Sequence, residues 1–449
     1  MQRLLISILS LAALAPAARA QSAPDPQPSP DGPSTPAVTG KWDMSLYGFV
    51  ELDSMWDSTQ TFNDLAGNAA IARPGTYAGE HGQTTMSARN SRIGYRISAP
   101  THEGVKASGQ LELDFFGNQP TGISEAALFQ NPTLRFRHAN LKLETPVVDF
   151  LIGQYWELFG WQSAFHPASV DLQGLPGQVY SRAPQIRIGK KLKAGDISLE
   201  LAIAAVRPPQ RASGVPDGQA GIKLSYDGLK GYHTAGGAGS AIDSAAIGVS
   251  AVGRKFAVNE FKPTSVDDVD RNGYGLSIDA LIPIVPATKD HKENALTLTG
   301  SFVTGAGIAD QYTGLSGGVA NPVLPNPMAT TPAPTYTPNV DGGLVLFRSD
   351  GTLHPIQWTS YIVGAQYYLP PSAKLWIAGT YSHLSSDNAH AFGDAKKVFD
   401  TSSWAAGDVF FDATPAVRLG LEYAWFNQTY VDGTAATDHR VQLSAWLIF

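Results

Sequence analysis

The chain has no cysteine, which excludes disulfide staples, thiolate catalysis and cysteine metal sites together. It also lacks long apolar runs. After residue 20 no stretch approaches the roughly 18 apolar residues that a spanning helix needs. The ten histidines are dispersed, without the spacing of metal ligands. No phosphate-binding loop occurs. A formal net charge of -7 gives no electrostatic reason to bind nucleic acid. The sequence thus predicts no catalytic residue, no cofactor and no bound metal.

Two fragments imitate functional motifs. Asp268-Val269-Asp270-Arg271-Asn272-Gly273 opens like a calcium loop, with Asp279 at the twelfth position. Such loops need flanking helices, and Asp279 falls in a strand pattern, so an acidic surface loop with a turn is expected. Gly314-Leu315-Ser316-Gly317-Gly318 matches a nucleophile elbow. That motif needs a strand–turn–helix setting, whereas this segment lies in a Gly/Pro-rich loop.

What is present begins with Arg3, a largely apolar run over 4–14 and Ala18-Arg19-Ala20. Together they read as a signal peptide over 1–20, ending in a small-x-small cleavage site. Residues 21–40 hold six prolines and no large aromatic. They read as a disordered, proline-rich periplasmic tail. From Lys41 to Phe449 the regime changes to strands.

The last segment is the clearest. Val441, Leu443, Ala445, Leu447 and Phe449 share one face, and Arg440, Gln442 and Ser444 share the other. Period-two alternation over eleven residues is a strand with one apolar face. The pattern repeats. Leu46, Val50 and Leu52 oppose Glu51 and Asp53. Leu111, Leu113 and Phe115 oppose Gln110, Glu112 and Asp114. Sixteen such segments are legible: 44–56, 86–99, 104–116, 132–144, 147–156, 181–192, 195–206, 217–227, 244–256, 272–283, 294–305, 357–369, 374–384, 403–412, 416–430 and 437–449. Many exceed the 5–6 residues usual in soluble sheets and suit the 9–11 of a spanning strand. Short gaps (145–147, 193–195, 370–373) alternate with long ones (57–85, 117–132, 157–181, 306–356). Aromatics sit near strand ends at Trp56, Tyr367, Tyr423, Trp425 and Phe449. Both features belong to outer-membrane barrels. The expected fold is therefore all-β: a transmembrane antiparallel β-barrel of 16 strands, in the outer membrane of a Gram-negative bacterium.

Function then rests on the lumen-facing side chains. Apolar neighbours on the lipid face put Arg92, Arg96, Arg135, Arg137 and Arg187 inside, with Arg182 near the upper end of its strand. Arg89 has the wrong parity and demands a bulge or a position above the membrane. Guanidinium offers a permanent charge and a planar fork matched to carboxylates. Glu51, Asp53, Glu112 and Asp114 also face inward, and those that pair with the arginines weaken the patch. The loop after the fifth strand carries Trp156, Phe159, Trp161 and Phe165, too apolar for free solution, with Glu157 and Asp171 as charged members. It is expected to fold into the barrel as a constriction loop. The prolines of 306–356 (Pro322, Pro325, Pro327, Pro332, Pro334, Pro338) suggest an exposed lid or contact surface.

Ala88-Arg89-Asn90-Ser91-Arg92-Ile93-Gly94, Glu112-Leu113-Asp114-Phe115-Phe116-Gly117 and Leu134-Arg135-Phe136-Arg137-His138-Ala139 resemble the DcaP-like family of trimeric outer-membrane porins. Gly153-Gln154-Tyr155-Trp156, Arg182 and Pro184-Gln185-Ile186-Arg187 continue the resemblance, which spans about residues 85–190. It implies sixteen strands, a homotrimer and uptake of dicarboxylates and similar organic acids. Some relatives carry a heptad coiled coil where this chain has its proline-rich tail. The expected partners are small anionic solutes, outer-membrane lipid including lipopolysaccharide, and further copies of the chain. The leading expectation is a passive channel with anion preference and no enzymatic activity. A general non-selective porin, a barrel enzyme and an adhesin remain as alternatives.

Overall fold

The structure is a computed structural model describing residues 41–117, 133–171, 174–208, 213–288, 291–324 and 334–449. The segments expected to be a signal peptide and a proline-rich tail lie outside the described residues, as do most of the loop 117–132 and Pro325, Pro327 and Pro332.

Sixteen strand positions form one closed antiparallel ring. They are β1 (Asp43–Asp57), β2 (Gln83–Ser87 and Arg92–Ser98), β3 (Lys106–Asp114), β4 (Arg135–Glu144), β5 (Asp149–Trp156), β6 (Arg182–Ala194), β7 (Ile197–Val206) and β8 (Asp217–Ala235). The ring continues with β9 (Gly239–Asn259), β10 (Asp268–Val285), β11 (Leu296–Ala306), β12 (Gln357–Tyr368), β13 (Leu375–Ser385), β14 (Phe399–Thr414), β15 (Val417–Tyr430) and β16 (Ala435–Ile448). Each pairs with its chain neighbour, and β1 closes the ring against β16 from Phe49↔Ile448 to Asp57↔Arg440. Both halves of β2 pair with β1. Closure leaves no sheet edge, which hydrocarbon would otherwise penalise by several kcal/mol per unpaired group.

The expected alternation governs the faces. Val50, Leu52, Leu443 and Leu447 are exposed on the outside, while Glu51, Asp53, Gln442 and Ser444 are buried inside. Two expectations need correction. Asp268–Gly273 is not a loop, because these residues pair with Arg254–Asn259 in strand register. The strands expected over 217–227 and 244–256 are one long hairpin that continues to Ala235 and restarts at Gly239. Glycine and alanine thin out the alternation there, so the continuation carries little pattern.

The loop between β5 and β6, residues 157–181, does fold inward. The Phe159 N–H donates to Gln219 Oε1 at 2.9 Å, the Gly160 N–H to Ser250 Oγ at 2.8 Å and the Trp161 indole N–H to the Val249 carbonyl at 3.1 Å. Farther along, the Val170 N–H donates to Asp408 Oδ1 and Glu422 Oε2, both at 2.9 Å. The loop therefore bridges the lumen from β8–β9 to β14–β15. Glycines make room for its aromatics. A Cβ on Gly248 would stand 2.7 Å from Trp161 Cδ1 and 2.9 Å from Phe165 Cε2.

The loop 307–356 differs from expectation. Its described part around Pro338 is exposed, but Leu344–Phe347, Leu353 and Ile356 are buried. They pack with Phe62 and Ile71 of the first loop, Phe159 and Val179 of the constriction loop, and Trp358, Trp404 and Phe426 of the wall. Apolar burial, at about 25 cal/mol per Å², draws this half into the barrel. It is not the wholly exposed lid that its prolines suggested.

Gly248→Val should overpack the seat of the constriction loop at a cost of about 1–3 kcal/mol. Heat-dependent loss of the folded band on gels should then occur at lower temperature. Gly253→Val on the same strand, where an added Cβ meets nothing within 4 Å, should leave that temperature unchanged.

Candidate functional site

The loops fill the lumen along β8–β16 and leave space beside β1–β7. A cavity of about 650 Å³ lies between Tyr47, Arg92, Arg96, Gln110 and Glu112 of the first strands and Ser163, Ala164, His166, Pro167, Gln178 and Tyr180 of the constriction loop. A second, also about 650 Å³, continues along β3–β8. The two share Arg96, Gln110, Tyr155, Ser163 and Ala164 and so form one continuous track.

Of the expected arginines, Arg92, Arg96, Arg137 and Arg187 line the track and Arg135 and Arg182 line neither cavity; by their partners they divide into two groups. Arg135 forms a two-pronged pair with Asp114, from Nε at 2.9 Å and Nη2 at 2.6 Å. Arg137 is buried between Glu112 (2.7 Å) and Asp114 (2.9 Å). Arg92 lies 3.6 Å from Glu112. Their charges are largely matched locally. Arg96, Arg182 and Arg187 form no ion pair among the described residues. Arg96 lies over the Tyr47 ring at 4.0 Å. Arg182 sits between the rings of Trp156 (4.6 Å) and Tyr180 (5.1 Å). Arg187 donates to Gln185 Oε1 and the Trp156 carbonyl. Arg89 fills the break between the two halves of β2 and pairs with Asp64 at 2.8 Å, which accounts for its parity.

Of the expected acidic residues, Glu112 and Asp114 face this arginine wall. Glu51 accepts from Asn90 Nδ2 at 2.8 Å, and Asp53 accepts from Ser444 and Gln442 of β16. In the loop, Trp156 stacks edgewise on His166 and Tyr180. Glu157 is held by Gln219 and Gln311. Phe159, Trp161 and Phe165 are buried anchors. Asp171 lies 3.8 Å from Arg440 of β16 and also lines the first cavity.

Several lining residues escaped the parity argument. A register shift at Glu112/Leu113 makes Arg137 and His138 both face inward. Beyond that bulge, Asn140, Lys142 and Glu144 line the track. The second cavity is lined by Arg96, Lys142, Arg187, Lys190, Lys191 and Lys223, against Glu144, Asp149 and Glu200. Its basic excess lies below the arginine cluster, toward the short turns. In the first cavity Arg92, Arg96 and Arg137 are balanced by Glu112, Asp171 and Asp243. Of the loop's titratable groups, burial drives the His166 imidazole down to about 3, so it stays neutral. Burial raises the Tyr180 hydroxyl, but Arg137, Arg182 and Arg92 outweigh it and bring the group down to about 7.

A closed antiparallel barrel with an inward loop and a basic track is the anatomy of a diffusion channel, and a model of the Gram-negative porin family matches residues 7–307. The chain belongs to the Gram-negative porin family. The porin is therefore an outer-membrane channel protein. Its fold is that of the outer-membrane channel DcaP of Acinetobacter baumannii, with a TM-score of 0.65 and 20% identity over 91% of this chain and 97% of that one. OmpF of Salmonella typhi, in complex with daunomycin, aligns at a TM-score of 0.53 with 13% identity, covering 90% of this chain and 97% of that one. OmpT of Vibrio cholerae in its trimer form aligns at 0.50 with 10% identity, over 91% and 100% of the two chains. No curated protein matches the porin by sequence.

Two outcomes follow for the arginine wall. Arg137→Ala leaves Glu112 and Asp114 without their shared buried partner, and should cost about 3–5 kcal/mol in denaturant unfolding of the detergent-folded barrel. Arg96→Ala, which breaks no ion pair, should cost less than half as much. Separately, Tyr180 lies below the ordinary tyrosine range near 10, so its phenolate forms as pH rises through about 7. That added negative charge beside Arg137 and Arg182 should lower anion preference as pH goes from about 6 to about 8. In Tyr180→Phe this step should vanish from reversal potentials taken across the same pH range.

Proposed function

We propose that this porin passes small organic anions, dicarboxylates among them, faster than cations of equal size. The observation that carries the reading is the second cavity, where six cationic side chains face three carboxylates. A confined, low-dielectric passage lined with excess positive charge concentrates anions and repels cations. The aromatic seat of Arg96 supports it further, because this guanidinium keeps a fork that no carboxylate of the described chain occupies. A non-selective porin is the second reading, favoured by the balanced charge of the first cavity.

The assembly proposed is a homotrimer. The OmpT structure is a trimer form, and this porin shares its architecture. Unheated gel samples should therefore run near three times the chain mass and collapse to one on boiling.

Liposome swelling separates the two readings of selectivity. With the porin reconstituted, a four-carbon dicarboxylate should enter faster than a neutral polyol or a diamine of the same length. Replacing Arg187, Lys190 and Lys191 with Gln should bring the three rates together. Equal rates for all three solutes in the unmodified porin would favour the non-selective reading.

A further inference from the structure

We infer that the turn end of the β8–β9 hairpin, Tyr232–Gly239, is a fixed second constriction that sets the size limit of the porin from the side opposite the long loops. The inference is independent of charge preference, since a porin indifferent to charge would be narrowed in the same way.

Short turns at this end of the barrel need only reverse the chain. This hairpin does more. Pairing slips between Ser244 and Ala245, so that Ser244 faces Lys230 while Ala245 faces Tyr226, leaving residues 227–229 unpaired on β8. A bulge of this kind bends its strand, and beyond it the tip crosses the inside of the barrel. There it is bound by wall residues several strands away. Gln366 of β12 acts as a substitute strand partner: its Oε1 accepts from the Thr234 N–H at 3.1 Å and its Nε2 donates to the Tyr232 carbonyl. Arg418 of β15 donates from Nη1 to the Gly237 carbonyl at 2.7 Å. Thr234 Oγ1 lies 3.0 Å from the Tyr368 hydroxyl. The constriction loop meets the tip as well. The Gly236 N–H donates to the Pro167 carbonyl at 3.0 Å, and His233 Nε2 lies 2.8 Å from the His166 carbonyl.

These contacts satisfy the backbone of the tip with protein instead of water, which is how a turn is expected to look when it is built to remain inside. Tyr232, His233 and Thr234 are buried accordingly. The opposite flank of the tip forms one wall of the first cavity, facing Tyr47, Arg92 and Arg96. A solute in the first cavity therefore passes between the arginine wall and this hairpin, beside the constriction loop.

The test uses two variants of the full porin. In the first, residues 231–243 are replaced by Asn-Gly, joining the register partners Lys230 and Ser244 through a two-residue turn. Single-channel conductance should rise at least about twofold, as expected for removing the narrower of two constrictions in series. Neutral sugars excluded by the unmodified porin should enter liposomes. A folded variant with unchanged conductance and size limit would overturn the inference. The second variant is Gly231→Cys with Thr297→Cys, in a chain free of other cysteines. A Cβ on Gly231 would stand 2.7 Å from Thr297 Oγ1, within disulfide reach, and 2.7 Å from Pro283 Cβ, so Pro283→Gly accompanies the pair to make room. Oxidation should form the cross-link and leave conductance unchanged. Failure to cross-link, or a conductance that falls on oxidation and recovers with reductant, would overturn a fixed inward position.

Discussion

A strand crossing hydrocarbon must give each backbone N–H and C=O to a neighbour, and here that demand is met only because β16 returns to β1. Closure fixes the rest. With no edge available, variation in sixteen strands is confined to side-chain parity, bulges and the connections at the two ends. The breaks in regularity then become the informative places. The interruption at residues 88–91, the shift at Glu112/Leu113 and the slip at Ser244/Ala245 each re-aim side chains toward the lumen or turn a segment inward.

A ring of this size encloses more space than side chains fill, and the porin fills it unevenly. Loops from the long-loop end build an apolar core against β9–β16, seated on Trp358, Trp404 and Phe426. The constriction loop spans between the two sides, and the β8–β9 tip closes part of the far mouth. Space remains along β1–β7, the side that carries the arginines. The same ion pairs that stabilise this wall subtract from its field. Glu112 and Asp114 hold Arg92, Arg135 and Arg137 in place, and below them Lys142, Lys190 and Lys223 pair with Glu144, Asp149 and Glu200, so that the less compensated charge lies with Arg96, Arg187 and Lys191.

Much of the barrel was legible in the sequence because period-two alternation is imposed by lipid outside and water inside. Leu443 and Ser444 report it as plainly as any pair in the chain. The inward loop was legible for a related reason, since Phe159, Trp161 and Phe165 have no place in free solution. Lys142 was not legible. Its parity is correct only after the bulge beside Arg137, and a bulge leaves no mark in hydrophobic periodicity. The tip Tyr232–Gly239 was missed because its glycines and alanines carry no face, and because its inward course depends on Gln366 and Arg418, distant in sequence. The partial burial of 307–356 was hidden behind its prolines, which say nothing of Leu344–Phe347.

Anion preference requires the open side of the lumen to be electropositive to a passing solute. The zero-current potential of the unmodified porin, across a potassium chloride gradient in a planar bilayer, addresses it most directly. An electropositive track should give a potential whose sign shows chloride crossing faster than potassium. A potential of the opposite sign would show the carboxylates of the track prevailing over Arg96, Arg187 and the lysines, and would contradict anion preference.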